Sequence, residues 1–220
     1  MEVYNSEEEQ VQAIKQWWKD NAVSLIAGIV IGVAILGGYR YWTETKQTQA
    51  QKASDIYSEI LSSANDKAKK TEVLKSDYSG TPYAALAALL VAKDDVERNA
   101  PEKAIVQLKW VIDNSNNGIQ HIAKQRLARI YLSQDNIEAA ELLLKGVKAG
   151  GFSAAYNEIR GDINLAKKLP VQAKENYRLA LASLSQGDQR FEIIKMKLDD
   201  LTQENTVSSS TENKSIEVKP

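Results

Sequence analysis

Residues 21–39, NAVSLIAGIVIGVAILGGY, carry no charged side chain, and Asp20 and Arg40 close the stretch at its two ends. A helix rises 1.5 Å per residue, so this run reaches about 28 Å, close to the hydrocarbon thickness of a bilayer. Trp17 and Trp18 precede it, and Tyr39, Tyr41 and Trp42 stand at its far end. Amphipathic rings settle at those headgroup depths. A cleaved signal peptide would have a shorter apolar core, a basic leader and a small-x-small cleavage site. Here Glu7, Glu8 and Glu9 come before the run, and bulky Tyr39-Arg40-Tyr41-Trp42 follows it. The pattern predicts a retained single-pass anchor: a short leader over 1–20 and a transmembrane helix over 21–42.

Within the span, Ser24, Gly28 and Gly32 recur every fourth residue. Small residues so spaced make a flat strip on which a second transmembrane helix can pack. Lys15 and Lys19 precede the span, and Arg40, Lys46 and Lys52 follow it, a count that does not by itself set the orientation. In the leader, Val11, Ile14 and Trp18 fall at helical spacing.

Beyond the span the chain is long enough for one domain. Its formal net charge is −1, which leaves no electrostatic case for nucleic acid as a partner. It has no cysteine, which excludes disulfides, thiolate metal sites and cysteine nucleophiles. His121 is the only histidine and reads as a surface or turn residue. No glycine-rich phosphate loop, H-E-x-x-H or G-x-S-x-G occurs. The adjacent pairs Asp94-Asp95 and Asp199-Asp200 cannot converge on a helix. No cofactor, metal or catalytic residue is implied, and the chain reads as non-enzymatic.

Abundant Ala, Leu, Lys, Glu and Gln with four prolines predict an all-α fold. Ala53, Ile56, Tyr57, Ile60 and Leu61 share a helix face after the span, a short helix fits 71–78, and Thr81 is placed to cap a helix with Pro82 in its first turn. The next hundred residues repeat. Val91-Ala92, Ala104, Leu108 and Val111 return 36 residues later as Leu127-Ala128, Ala140, Leu144 and Val147. These return after a further 33 as Arg160-Gly161, Ala173, Tyr177 and Ala180. Each unit is two helices, with small residues where the pair crosses and larger ones in the seam to the next pair. Asn99-Ala100-Pro101-Glu102, with Asn99 as cap, Asp135-Asn136 and Leu169-Pro170 mark the turns. A last helix over 187–205, with Phe191, Ile194, Leu198 and Leu201 on one side, caps the stack. Thus 43–205 forms a helical-repeat solenoid, and the polar tail 206–220 is expected to be disordered.

This periodicity resembles tetratricopeptide repeats. In that family the first helix of each unit lines a concave groove. The resemblance places Leu86, Leu89 and Lys93 there from the first unit, Ile122, Gln125 and Arg129 from the second, and Glu158 and Asp162 from the third. As a helix-surface residue, Arg129 is expected to add little to stability. Trp110 is either core beneath the preceding helices or a large exposed contact.

The acidic leader with Val11-Gln12-Ala13-Ile14-Lys15, the span ending Gly38-Tyr39-Arg40-Tyr41-Trp42, Tyr83-Ala84-Ala85-Leu86-Ala87 and Asn99-Ala100-Pro101-Glu102-Lys103-Ala104 together resemble the YfgM family. Its members are ancillary subunits of the SecYEG translocon in the inner membrane of Gram-negative bacteria. The resemblance implies a cytoplasmic N-terminus, a periplasmic repeat domain, and as partners the translocon, the periplasmic chaperone PpiD and polypeptide clients. A scaffold for envelope assembly and a membrane-tethered enzyme with no recognisable site are the alternatives.

Overall fold

The computed structural model describes residues 7–63, 66–115, 117–185 and 187–214. Helices α1 (Glu7–Ser62), α2 (Lys67–Asp77), α3 (Pro82–Glu97), α4 (Pro101–Asn114) and α5 (Asn117–Ser133) come first. They are followed by α6 (Ile137–Leu144), a 3-10 turn (Gly150–Phe152), α7 (Ser153–Ala166), α8 (Pro170–Ala182) and α9 (Arg190–Lys214). No strand occurs among the described residues, so the chain is all-α as its composition predicts. The chain divides into two compact units, residues 1–52 and 53–220, with the division inside α1.

In the first unit the apolar stretch is helical throughout and open on every side. Val23, Ile26, Ile29, Val30, Val33 and Leu36 are each more than half exposed. It is the one helix among the described residues long and apolar enough to cross a membrane. A helix apolar all round and buried against nothing has lipid as its natural surroundings.

In the second unit the repeat is written most clearly in the backbone. Asn99, Asp135 and Lys168 all have φ near +60°, the left-handed conformation that ends helices. They lie 36 and 33 residues apart, the period of the repeat. After each, the next N–H reaches back five residues: Ala100 to the Asp95 carbonyl, Asn136 to Tyr131 and Leu169 to Asn164, at 2.8–2.9 Å. This is the same Schellman ending three times over. Asn99 therefore terminates α3 instead of capping α4, whose N-cap, Ala100, has no side-chain bond. Asn136 does cap α6, accepting from the Ala139 N–H at 3.2 Å. Thr81 precedes Pro82 as expected, but its hydroxyl donates backwards to the Tyr78 carbonyl at 2.8 Å.

Asp66 has the same left-handed backbone, 33 residues before Asn99. The end of α1 with α2 is thus a further helix pair at the front of the stack. Ala53, Ile60, Leu74, Ala84 and Ala87 form its core. Thr71 stands where later units have Ala104, Ala140 and Ala173, is fully buried, and leaves its hydroxyl unbonded. The first helix of this pair ends four residues before Asp66, whereas α3, α5 and α7 end two before theirs. That slip and the Thr-for-Ala exchange conceal the pair from the sequence pattern.

The other cores follow in chain order, as in a solenoid. The α3–α4–α5 core holds Ala88, Ala92, Ala104, Leu108, Val111 and Leu127. The α5–α6–α7 core holds Ala128, Ala140, Leu144, Tyr156 and Ile159. The last core packs Ala173, Tyr177 and Ala180 against Ile194 and Leu201 of α9. Half-buried Trp110 touches both the α1–α2–α3 core and the α3–α4–α5 core, with Lys75 Nζ 5.4 Å above its ring. It is a seam residue.

Helix α2 begins at Lys67, four residues before the expected start, and α6 and α9 depart from the sequence expectation as well. Helix α6 stops at Leu144, because Gly146 takes φ +70° and Lys145 is extended. Val147 therefore packs from outside the helix. In α9, Ile194 and Leu201 are buried, while Phe191 in the first turn is 41% exposed. The backbone of 206–214 is helical, and 215–220 lie outside the described residues.

Candidate protein-binding groove

The first helices of the units, α3, α5 and α7, present Lys93, Arg129 and Asp162 at equivalent positions, 36 and 33 residues apart. Leu86 is half-buried, Ile122 is 37% exposed, and Lys93 is exposed with an ion pair to Glu97 at 3.4 Å. Leu89 lies in the core among the small residues of α3 and does not line an open surface. Gln125 is half-buried, and its amide nitrogen is shielded from solvent without a bond.

The third unit differs. Glu158 is 7% exposed, and both of its carboxylate oxygens are bonded within the chain. Arg129 Nη2 donates to one at 3.2 Å and Lys197 Nζ of α9 to the other at 2.9 Å. Lys197 also donates to both oxygens of Asp162, at 2.8 and 3.0 Å, and the Tyr177 hydroxyl donates to Asp162 Oδ1 at 2.7 Å. Burial works against the Lys197 charge, but its bonds to Asp162 and Glu158 and their negative charges outweigh it and hold the ammonium above its ordinary value. The row of first-helix charges therefore continues onto α9, which uses Glu158 and Asp162 as its anchor. Sequence reasoning missed Lys197, although its position 35 residues after Asp162 was a signal. Arg129 is consequently not a neutral surface residue, since reversing its charge would set two carboxylates together at Glu158.

His121 is also engaged. Its Nδ1 lies 2.8 Å from the Tyr156 hydroxyl, and its ring stands edge-on to Tyr156 and near Phe152. It ties α5 to α7 and is not a bare turn residue. Burial pushes the Tyr156 phenol up to about 12, with Arg160 opposing. Burial, followed by the bond to Asp162, pushes Tyr177 higher still. Both rise from an ordinary value near 10, so the unfolded chain releases these protons first. The Tyr156 contribution is complete below pH 10 and is lost as pH rises through about 12, and that of Tyr177 is lost at higher pH still. Melting curves from pH 9 upward should fall more steeply for the native chain than for Tyr156→Phe. Parallel curves would contradict the shift.

Two clefts open on this domain. One, of about 440 Å³, lies between the C-terminal halves of α3 and α5; Ala92, Val96, Leu108 and Ile130 supply its apolar side chains, with Lys93, Glu97, Arg126 and Arg129 around them. The other, of about 710 Å³, lies among α6, α7 and α8, beside the end of the short α6, with Glu138, Glu141, Arg160 and Asn176 in its wall. In the anchor, Ser24 and Gly28 are exposed, and a Cβ built on Gly28 or Gly32 would meet nothing within 4 Å.

The family profile described as a tetratricopeptide repeat-like domain matches residues 15–203. The ancillary SecYEG translocon subunit of Escherichia coli K12 is 31% identical over 172 residues, 76% of this chain and 83% of that protein. The subunit of the same name from Haemophilus influenzae is 31% identical over 204 residues, covering 90% of this chain and 99% of its own. That from Neisseria gonorrhoeae is 28% identical over 208 residues, covering 91% and 100%. No solved structure matches the chain. The apolar N-terminal helix and these relatives fit a membrane-anchored protein. With one profile spanning the anchor and every repeat, and kinship running nearly end to end, the chain belongs to the tetratricopeptide repeat-like family of ancillary SecYEG translocon subunits.

Proposed function

We propose that this chain is a non-enzymatic, single-pass subunit beside SecYEG, with its N-terminus in the cytoplasm and its repeat domain in the periplasm. There the inner surface of α3 and α5 binds emerging chains and the chaperone that receives them, PpiD being the chaperone the family resemblance implies. The observation that carries this reading is the kinship with translocon subunits over nearly the full length of both chains. The open, mixed apolar and cationic surface around Ile122, Arg126 and Lys93 supports polypeptide as the ligand.

A photo-crosslinker at Ile122, in intact membranes, should capture translocon, chaperone or nascent polypeptide. Crosslinks to other envelope proteins alone would favour the scaffold instead. Protease added to spheroplasts should digest the repeat domain; protection would reverse the orientation.

The strip Ser24, Gly28 and Gly32 is proposed as the helix-packing surface within the bilayer. Gly28→Leu should weaken co-purification with the translocon while membrane insertion is retained, because a bulky side chain holds the backbones apart. Unchanged co-purification would leave the strip facing lipid.

A further inference from the structure

The α3–α5 cleft has a chemistry of its own. Its walls run along Ala92 to Glu97 on α3 and Arg126 to Ser133 on α5, about 7 and 10 Å of helix respectively. Two or three residues of extended chain cover that length at about 3.3 Å each. Ala92, Leu108 and Ile130 are buried at its base, and Val96 is 47% exposed at its mouth. Three cations, Lys93, Arg126 and Arg129, surround it against one carboxylate, Glu97. Lys93 is paired with Glu97 and Arg129 with Glu158. Arg126 spends one N–H on the Leu89 carbonyl at 3.1 Å, and no carboxylate among the described residues pairs with it. An exposed guanidinium with donors to spare, beside an apolar cleft, favours an acidic group next to an apolar one.

We propose that this cleft takes one bulky aliphatic side chain of an extended polypeptide segment, with an acidic residue beside it bound by Arg126. The proposal rests on the groove reading above and names its ligand class: acidic–apolar segments instead of basic or purely polar ones.

The test uses the full-length chain in nanodiscs and three fluorescein-labelled peptides: Ser-Glu-Leu-Glu-Ser, Ser-Lys-Leu-Lys-Ser and Ser-Glu-Ser-Glu-Ser. The first should bind saturably and the other two about tenfold or more weakly, the scale expected of a lost charged hydrogen bond for the lysine peptide and of an unburied leucine for the serine peptide. Arg126→Glu should weaken the first peptide by a similar factor and improve the lysine peptide, a reversal that mere unfolding could not give. Val96→Ser, which removes apolar wall without adding charge, should weaken the first peptide without improving either of the others. Equal binding of all three peptides, or no response to either substitution, overturns the proposal. Crosslinking from Ile122 in the same variants separates the two readings. Capture of translocon or chaperone without peptide selectivity sinks the ligand class alone. Selective peptide binding without such capture sinks the translocon reading and leaves the cleft intact.

Discussion

Tyr177→Ala is expected to lower the unfolding free energy of the repeat domain by about 3–5 kcal/mol, the usual cost of truncating a buried aromatic. For a domain of this size that corresponds to roughly 6–20 °C in melting temperature. Tyr177 is fully buried between α7 and α9, in the core with Ile194 and Leu201. Its ring lies directly on Gly161: a Cβ there would sit 2.3 Å from Cε1 and 2.5 Å from Cδ1. The glycine is what lets α7 and α8 close on each other. Gly161→Ala should therefore cost about 1–3 kcal/mol by overpacking, although alanine is the better helix former. The check is a helical melting curve on the full-length chain in detergent. Losses under 1 kcal/mol for both variants would mean that α8 does not pack as described.

Lys197→Glu is the second large effect. Lys197 is the common partner of Glu158 and Asp162, and Glu158 is almost out of solvent. Removing one partner of a buried pair costs about 3–5 kcal/mol, and the partial exposure of Lys197 and Asp162 places this case at the lower end. The reversal adds a third carboxylate against the single remaining cation, Arg129. The expected result is a loss of about 3 kcal/mol, with α9 released first as rapid hydrogen exchange in that helix. Lys197→Met, which keeps the packing of the stem, should cost less. Equal stability of native and Lys197→Glu chains would show that α9 is held by its apolar side alone.

The repeat was legible because its small residues recur in phase: Ala104, Ala140 and Ala173 are each fully buried at the crossing of a helix pair. The anchor was legible from the absence of charge over 21–39. The front pair was not, because Thr71 replaces the alanine and a longer turn shifts its first helix. The early end of α6 follows from Gly146, which periodicity treats as one more small residue while the backbone uses its left-handed freedom. For the groove, carrying positions over by repeat spacing assumed that every unit faces solvent alike. Lys93 and Ile122 do. Glu158 and Asp162 do not, because the next helix in the stack brings a lysine to them. Charge pairing between elements 35–39 residues apart is invisible to a reading that treats each helix face alone.

Membership of the translocon is tested by affinity purification of the tagged full-length chain from mildly solubilised membranes, with SecY, SecE and SecG quantified by mass spectrometry. All three should co-purify at levels well above those of unrelated membrane proteins, and less so with Gly28→Leu. Absence of all three, with the chain intact and inserted, would contradict membership.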